Sequence, residues 1–164
     1  MVRDAISGDA GAICAIYNYY ISNTIITFEE TTLKVEEMQD RIAAIQAAGL
    51  PWLVYTDQDG VIGYAYAGKW HARSAYRYTV ESTVYLRHGA DGKGIGSELY
   101  RELVKRLKEL NYHAVIGGIA LPNPSSVALH EKFGYVKAAH YKETGYKFGR
   151  WIDVGYWEKL LVEK

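Results

Sequence analysis

A loop with three glycines, followed at once by an amphipathic segment, constrains this chain more than any other stretch. Glycine stands at positions 92, 94 and 96, and leucines then recur at 99, 103, 107 and 110. This recurrence predicts a helix with one apolar face. Where a loop opens a helix, the free backbone N–H groups and the helix dipole bind phosphate groups, and a missing Cβ lets the ligand approach them. The stretch therefore predicts an anion-binding loop between a strand and a helix, with a plain turn as the alternative.

Two common nucleotide-binding motifs do not fit this loop. The dinucleotide fingerprint G-x-G-x-x-G follows an early strand, whereas here glycine occupies every second position from 92 to 96. The phosphate loop of NTPases continues from Gly-Lys into Ser or Thr, whereas Lys93 is followed by Gly94. Both classes of nucleotide site are excluded.

Helix-like and strand-like patterns alternate along the chain in a definite order. Apolar residues at three- and four-residue steps predict helices after an N-cap at Asp9, from Val35 to Gly49, along the leucine series, and from Asn123 to Gly134. β-branched and aromatic runs predict strands at 2–6, 52–56, 61–68, 78–86, 114–121, 135–143 and 151–159, with a hairpin turn at 57–60. This order predicts a mixed α/β sheet with helices on both faces.

Length, charge and cysteine content narrow the class of protein. The 164 residues fit one domain, 1–164. Because 19 basic and 19 acidic side chains cancel and no Lys/Arg run exceeds a pair, we expect no nucleic-acid partner. Without a secretion signal or an apolar run of about 20 residues, we expect a cytoplasmic protein with no membrane partner. The single cysteine, Cys14, excludes a disulfide framework and a cysteine-based zinc cluster and fits a small core residue, and no metal site is predicted.

The glycine loop resembles the acetyl-CoA pyrophosphate site of the GNAT N-acetyltransferases, which has the form Q/R-x-x-G-x-G/A between a strand and a helix. Much more of the chain resembles one branch of this family, the enzymes that acetylate phosphinothricin and methionine sulfoximine. The similar stretches are YNYYI (17–21), PWLV (51–54), AYAGKWHARSAY (65–76), VESTVYL (80–86), GSELY (96–100), ALPNPSSVALHEKFGY (120–135) and GYKFGRWIDVGYW (145–157). The resemblance implies the GNAT fold, in which helices flank a mixed, mostly antiparallel central sheet, and it implies a homodimer.

The same resemblance implies acetyl-CoA as co-substrate. Its implied binding residues are Val84, Leu86, Asp91, Gly92, Lys93, Gly94, Ile95, Gly96, Ser97, Asn123 and Ser126. Asp91 departs from the family, which carries Gln or Arg there, and its carboxylate repels a pyrophosphate unless it points outward. Lys93 is expected to offset that charge. Asn123 is similar to a family asparagine that binds the CoA arm, and it is equally a helix N-cap.

Two titratable residues are the catalytic candidates. Glu81, Thr83 and Tyr85 share one face of the strand at 78–86, and an ionised carboxylate between apolar neighbours is costly. By resemblance, Glu81 is the general base that deprotonates the substrate ammonium through water; a salt-bridged or edge-exposed glutamate is the alternative. His130 stands where many GNAT enzymes have a tyrosine that protonates the departing thiolate and where this branch usually has a histidine. The resemblance implies an imidazolium as proton donor; a packed histidine is the alternative.

The resemblance also implies a small amino acid as acceptor. The implied substrate-binding residues are Phe28, Trp70, Arg73, Arg77, Thr83 and, near the neighbouring subunit's pocket, Lys147. Arginines bind a carboxylate bidentately, and aromatic rings enclose an apolar side chain. We therefore expect direct acetyl transfer from acetyl-CoA to the α-amine of phosphinothricin, methionine sulfoximine or methionine sulfone. The alternatives are acetylation of a protein N-terminus or another amine, and a non-catalytic CoA-binding module that only Asp91 supports.

Overall fold

The computed structural model describes residues 1–162, and its elements follow the predicted order. The helices are α1 (Ala10–Asn23), α2 (Val35–Ala47), α3 (Ile95–Glu109) and α4 (Pro124–Lys132). The strands are β1 (Val2–Asp4), β2 (Trp52–Asp57), β3 (Gly60–Lys69), β4 (Thr79–Leu86), β5 (Ala114–Ala120), β6 (Val136–Lys147) and β7 (Arg150–Leu160). Short 3-10 turns lie at Ser7–Asp9 and Ser74–Tyr76. No helix within residues 1–162 is long and apolar enough to cross a bilayer.

The seven strands form one sheet in the order β1-β2-β3-β4-β5-β7-β6. Every neighbouring pair is antiparallel except β4 and β5, which run parallel. The predicted mixed, mostly antiparallel sheet is confirmed.

The parallel pair is unusually short. β4 and β5 are in register only from Thr79–Ala114 to Glu81–Ile116. β4 nevertheless stays paired with β3 as far as Leu86, and β5 stays paired with β7 along its whole length. The two strands therefore separate after Glu81, and the edge of β4 that faces β5 has no strand partner beyond that residue.

Two apolar cores lie on opposite faces of the sheet, as the alternation of side chains along β2 shows. Trp52 and Val54 pack with α1 and α2, whereas Leu53 packs with α3 on the other face. The apolar stripes of α1 and α3 are buried as predicted. Cys14 is buried within the α1 core, so the prediction of a core cysteine is confirmed.

Some local predictions were wrong at element ends. Asp9 does not cap α1, because its carboxylate accepts hydrogen bonds from Ile6 N at 2.8 Å and from the Arg3 guanidinium at 2.7 and 2.9 Å. The Arg3 guanidinium lowers the pKa of Asp9. Leu110 lies beyond α3 and is half exposed. β6 and β7 extend further toward their connecting turn than predicted, because irregular pairing between Tyr141 and Gly145 interrupts the ladder without ending it.

The apolar face of α3 gives a stability prediction. Leu103 is fully buried, whereas Leu110, just past the same helix, is 49% exposed. We expect Leu103→Ala to lower the free energy of unfolding by about 2–5 kcal/mol, because it removes buried methyl groups and leaves a cavity. Leu110→Ala is the control and should change it by less than about 0.5 kcal/mol. Urea unfolding measures both, and equal losses would contradict the packing of α3.

Candidate active site

A cleft opens where β4 and β5 separate, and Glu81 stands at its start. The cleft encloses 410 Å³. β5 contributes Gly118 close to the Glu81 carboxylate, and a Cβ there would lie 3.0 Å from the ring of Tyr156 and 3.5 Å from Glu81 Oε1. A glycine at position 118 therefore keeps the space in front of the carboxylate open.

The environment of Glu81 suits a proton acceptor. Burial raises the pKa of Glu81 above its ordinary value, and the electrostatic effect of nearby His71 opposes part of that rise. A raised carboxylate pKa lies closer to neutral pH, which strengthens a general base. Glu81 makes no salt bridge within residues 1–162, so the salt-bridged alternative is wrong. Sequence analysis missed His71, because only the fold brings this loop residue near Glu81.

Aromatic and polar side chains line the far end of the cleft. Phe28, from the segment between α1 and α2, lines it together with Thr83 and Tyr156. A Cβ on Gly145 of β6 would overlap the Phe28 ring, so glycine there is what admits the ring. Trp70 stays outside the lining, where its ring makes an edge contact with Tyr156 at 5.5 Å. Phe28 and Thr83 are thus at the predicted site, and Trp70 stands behind it.

Lys147 supports this end of the cleft from behind. Its side chain is buried, and its ammonium donates a hydrogen bond to the Thr27 carbonyl at 2.8 Å. Burial lowers the pKa of Lys147. Thr27 in turn bonds the Tyr17 hydroxyl at 2.9 Å. The structure therefore places Lys147 against the segment that carries Phe28, and not in the lining of the cleft.

The two predicted carboxylate-binding arginines lie elsewhere. Arg73 and Arg77 line a separate cavity of 290 Å³, together with Lys69 and His71. Arg77 donates to the Ser74 carbonyl at 3.0 Å and lies over the Tyr78 ring. Neither arginine lines the Glu81 cleft. The structure does not bring the two arginines to the lining of this chain's cleft, and their binding of a substrate carboxylate stays a prediction.

A third cavity, of 510 Å³, lies beside the glycine loop and is called the groove below. Gly92 and Gly94 have φ values of 75° and 78°, the left-handed region that favours glycine. Gly94 precedes the first turn of α3 and no side chain caps that turn, so its N–H groups are available to an anion. This geometry agrees with the anion-binding prediction, and Asp91, Ile95, Gly96 and Ser97 border the same groove.

The lysine that borders this groove is not the lysine that was predicted. Lys93 is exposed and does not line the groove, whereas Lys132 of α4 lines it and donates to the Ser97 hydroxyl at 2.9 Å. Lys132 is thus the side chain placed to offset Asp91. Its position depends on how α4 packs beside α3, so no sequence signal identified it.

The cleft and the groove meet at a common junction. Residues that line both are Ile26, Val84, Tyr85, Asn123 and Ser126. The Asn123 side chain accepts a hydrogen bond from Ser126 N at 3.2 Å, so its predicted role as N-cap of α4 is confirmed. The same residue borders both the cleft and the groove. Leu86 closes the groove, and its carbonyl accepts a bond from the Tyr20 hydroxyl at 2.6 Å.

His130 borders the cleft with both ring nitrogens engaged. Nδ1 lies 2.7 Å from the Ser126 carbonyl, and Nε2 lies 2.9 Å from the Tyr100 hydroxyl. Burial lowers the pKa of His130. A Cβ on Gly117 of β5 would overlap the imidazole, so this glycine admits the ring. No three His, Cys, Asp or Glu side chains in residues 1–162 are grouped as a metal site.

The chain is similar to proteins of known class. The family model described as "Acetyltransferase (GNAT) domain" matches residues 2–155, and the chain belongs to this family. A phosphinothricin N-acetyltransferase of Streptomyces viridochromogenes is 40% identical, over 96% of this chain and 86% of its own. An L-methionine sulfoximine/L-methionine sulfone acetyltransferase of Salmonella typhimurium is 33% identical, over 99% and 95%.

A solved structure extends the similarity to the bound donor. A phosphinothricin acetyltransferase of the GNAT superfamily from Sinorhizobium meliloti, in complex with acetyl-CoA, superposes with a TM-score of 0.95 at 40% identity, over 98% of this chain and 87% of its own. The chain is thus an N-acetyltransferase that uses acetyl-CoA as its acetyl donor. Its uncapped glycine loop and the unpaired edge of β4 fit the pyrophosphate and the extended arm of that donor.

Asp91 gives a prediction about donor binding. We expect Asp91→Arg to tighten acetyl-CoA binding by about three- to tenfold at low salt, because it removes a repulsive charge from the groove and adds an attractive one. Glu109→Arg makes the same charge change at the far end of α3 and should leave the affinity unchanged. Titration calorimetry at two salt concentrations measures both, and an unchanged Kd for Asp91→Arg would show that its carboxylate points away from the pyrophosphate.

Proposed function

We propose that this protein acetylates the α-amine of a small amino acid of the phosphinothricin, methionine sulfoximine or methionine sulfone type. The observation that carries the proposal is the position of Glu81, partly buried and with a raised pKa, in a cleft that joins the glycine-loop groove. Two relatives named for these substrates, at 40% and 33% identity, support the substrate class. One domain, 1–164, performs the reaction.

The proposed reaction is a direct transfer. Bound acetyl-CoA supplies an activated acetyl thioester. Glu81 accepts a proton from the substrate ammonium, through a water molecule that the cleft has room for, and the free amine then attacks the thioester carbonyl. Gly118 leaves that space open. The C–N bond forms as the C–S bond breaks, and the proton that the attacking nitrogen loses ends on the CoA thiolate, which departs beside His130 and Ser126. No covalent bond to the enzyme forms.

The acceptor end of the cleft suits an amino acid with a short polar side chain. Phe28 and Tyr156 supply apolar walls, and Thr83 supplies a hydroxyl between them. Trp70 and Lys147 act indirectly, by supporting Tyr156 and the segment that carries Phe28. Arg73 and Arg77 have no role in this chain's cleft under the proposal.

The function is tested by release of CoA from acetyl-CoA. Methionine sulfoximine, methionine sulfone and phosphinothricin are offered as acceptors, with an N-acetylated acceptor, an alanine-terminated peptide and spermidine as controls. A thiol reagent follows the reaction, and mass spectrometry identifies the product. We expect release only with the free amino acids. Release with the peptide alone would favour N-terminal acetylation, and no release despite acetyl-CoA binding would favour the non-catalytic module.

The base is tested by Glu81→Gln. We expect kcat to fall by about 10²–10⁴-fold at pH 7, because the amide cannot accept the ammonium proton. The loss should shrink at pH 10, where the substrate amine is already free. In the wild type, kcat/KM should fall as pH decreases through the raised pKa of Glu81, because the protonated carboxyl no longer accepts a proton. Glu109→Gln is the control, and an unchanged rate for Glu81→Gln at pH 7 refutes the assignment.

We also propose that two copies of the chain associate through the hairpin surface, which consists of the exposed side chains of Tyr141, Tyr146, Phe148 and Trp151 on β6, β7 and their turn. Four exposed aromatic side chains on one hairpin are typical of an interface. Phe148 also lines a cavity with Ile26 and Asn123, two residues of the junction, so a partner here borders the active site.

We also propose a cytoplasmic location, because the one cysteine is buried and reduced.

The association is tested by sedimentation equilibrium. We expect the wild type to have twice the chain mass of 18.5 kDa. Trp151→Glu should sediment as a monomer, because a charge in a desolvated interface is costly. Ile6→Glu introduces the same charge at another exposed apolar position and should leave the dimer intact. A monomeric wild type at micromolar concentration would contradict the proposal.

A further inference from the structure

The segment that joins α1 to α2, residues 24–34, is neither helix nor strand. It nevertheless supplies Ile26, Thr27 and Phe28 to the lining of the cleft. Because such a segment has no ladder of backbone hydrogen bonds, contacts with neighbouring elements determine its position. Those contacts therefore determine where the Phe28 ring lies.

Thr27 is anchored on one side of Phe28. Its carbonyl accepts a hydrogen bond from the buried Lys147 ammonium of β6 at 2.8 Å, and its hydroxyl lies 2.9 Å from the Tyr17 hydroxyl of α1. Thr27 itself is buried, and a hydrogen bond in a buried environment is electrostatically stronger than one in water. Thr27 is thus bonded both to the sheet and to α1.

Glu29 is anchored on the other side of Phe28. The two terminal nitrogens of Arg41 in α2 donate to its two carboxylate oxygens, at 2.8 and 2.6 Å, and such a bidentate arrangement fixes direction as well as distance. The bond with Arg41 lowers the pKa of Glu29, so the carboxylate is ionised at neutral pH. The Tyr17 hydroxyl also donates to this carboxylate. Glu29 is thus bonded to both α1 and α2.

Phe28 lies between these two anchors and has little free space. Its ring packs against Gly145 of β6, where a Cβ would overlap the ring. A displacement of Glu29 therefore moves the ring and changes the shape of this end of the cleft. A change of one methylene in the shape of a pocket alters discrimination between substrates by about 10- to 200-fold.

The Arg41–Glu29 pair is not expected to decide global stability. The two side chains are 45% and 35% exposed, and exposed ion pairs contribute little to stability. Neither residue lines the cleft. A change in acceptor binding on breaking the pair therefore comes from the segment 24–34, and not from unfolding or from a lost substrate contact.

We propose that Arg41 is a positioning residue for the acceptor, which acts through Glu29 by holding the segment 24–34 so that Phe28 closes one end of the cleft. The inference rests on the proposed function, in which Phe28 forms a wall around the amino acid side chain. Of this segment only Ile26 also lines the groove beside the glycine loop. Acceptor binding therefore depends on Arg41 more than acetyl-CoA binding does.

Hydrogen exchange followed by mass spectrometry tests the anchoring without measuring activity. In Arg41→Ala we expect peptides that cover 24–34 to exchange about fivefold faster than in the wild type, because a lost anchor makes local opening easier. Arg106→Ala is the matched control. Arg106 donates to Glu102 at 2.8 Å and to Asp4 at 3.1 Å from α3, on the other face of the sheet. An unchanged exchange rate of 24–34 in Arg41→Ala would overturn the proposal.

Steady-state kinetics with methionine sulfoximine tests the consequence for the acceptor. We expect Arg41→Ala to raise the KM for the acceptor about three- to tenfold, while kcat and the KM for acetyl-CoA change by less than about twofold. Arg41→Lys keeps the charge but loses the paired donors, so its acceptor KM should be intermediate. Arg106→Ala should match the wild type. Faster exchange of 24–34 with an unchanged acceptor KM would overturn the positioning role.

A second variant moves the Phe28 ring and leaves the Arg41–Glu29 pair intact. Gly145→Ala places a methyl group where the ring lies, so we expect it to raise the acceptor KM as well. A wild-type acceptor KM in Gly145→Ala would contradict the dependence on Phe28. If no acceptor is acetylated by the wild type, the proposed function fails, whereas the exchange experiment still decides whether Arg41 holds the segment.

Discussion

The short parallel pairing of β4 with β5 is the constraint on which the rest of the structure depends. Three residues of each strand are in register, and then each follows a different antiparallel neighbour, β3 or β7. The separation leaves one edge of β4 unpaired in the middle of a sheet, where buried backbone groups ordinarily have partners. The Glu81 cleft and the groove beside the glycine loop both lie along that edge. The enzyme thus obtains an interior site from an interrupted ladder.

Glu81 and His130 both line the cleft, but their hydrogen bonding differs. Burial shifts both toward the neutral form, raising the pKa of the carboxyl and lowering that of the imidazole. Within the described residues Glu81 has no salt bridge, and its carboxylate borders the open cleft. His130 has both nitrogens bonded within the protein. The difference lies in hydrogen bonding and not in depth of burial.

Sequence patterns predicted the structural features that depend only on residues close together along the chain. The order of elements, the glycine loop and the start of α4 at Asn123-Pro124 all follow from periodicity or turn chemistry. Asp9 was misjudged because Arg3 and the Ile6 amide compete for its carboxylate. Charged side chains of the site were the least predictable, because helix packing brings Lys132 to the groove while a loop carries Arg73 away from the cleft. The extent of the single domain, 1–164, stays a prediction.

Under the proposed function, the two halves of the site are built from different kinds of group. The donor side consists of main-chain amides after left-handed glycines and of a bare strand edge. The acceptor side consists of side chains such as Phe28, Thr83 and Tyr156. Substitutions at the acceptor positions leave the main-chain amides of the donor side in place. If the proposed assignment holds, single substitutions at these side chains exchange one acceptor for another while the amides that face the donor stay in place, so selection acts on the two halves separately.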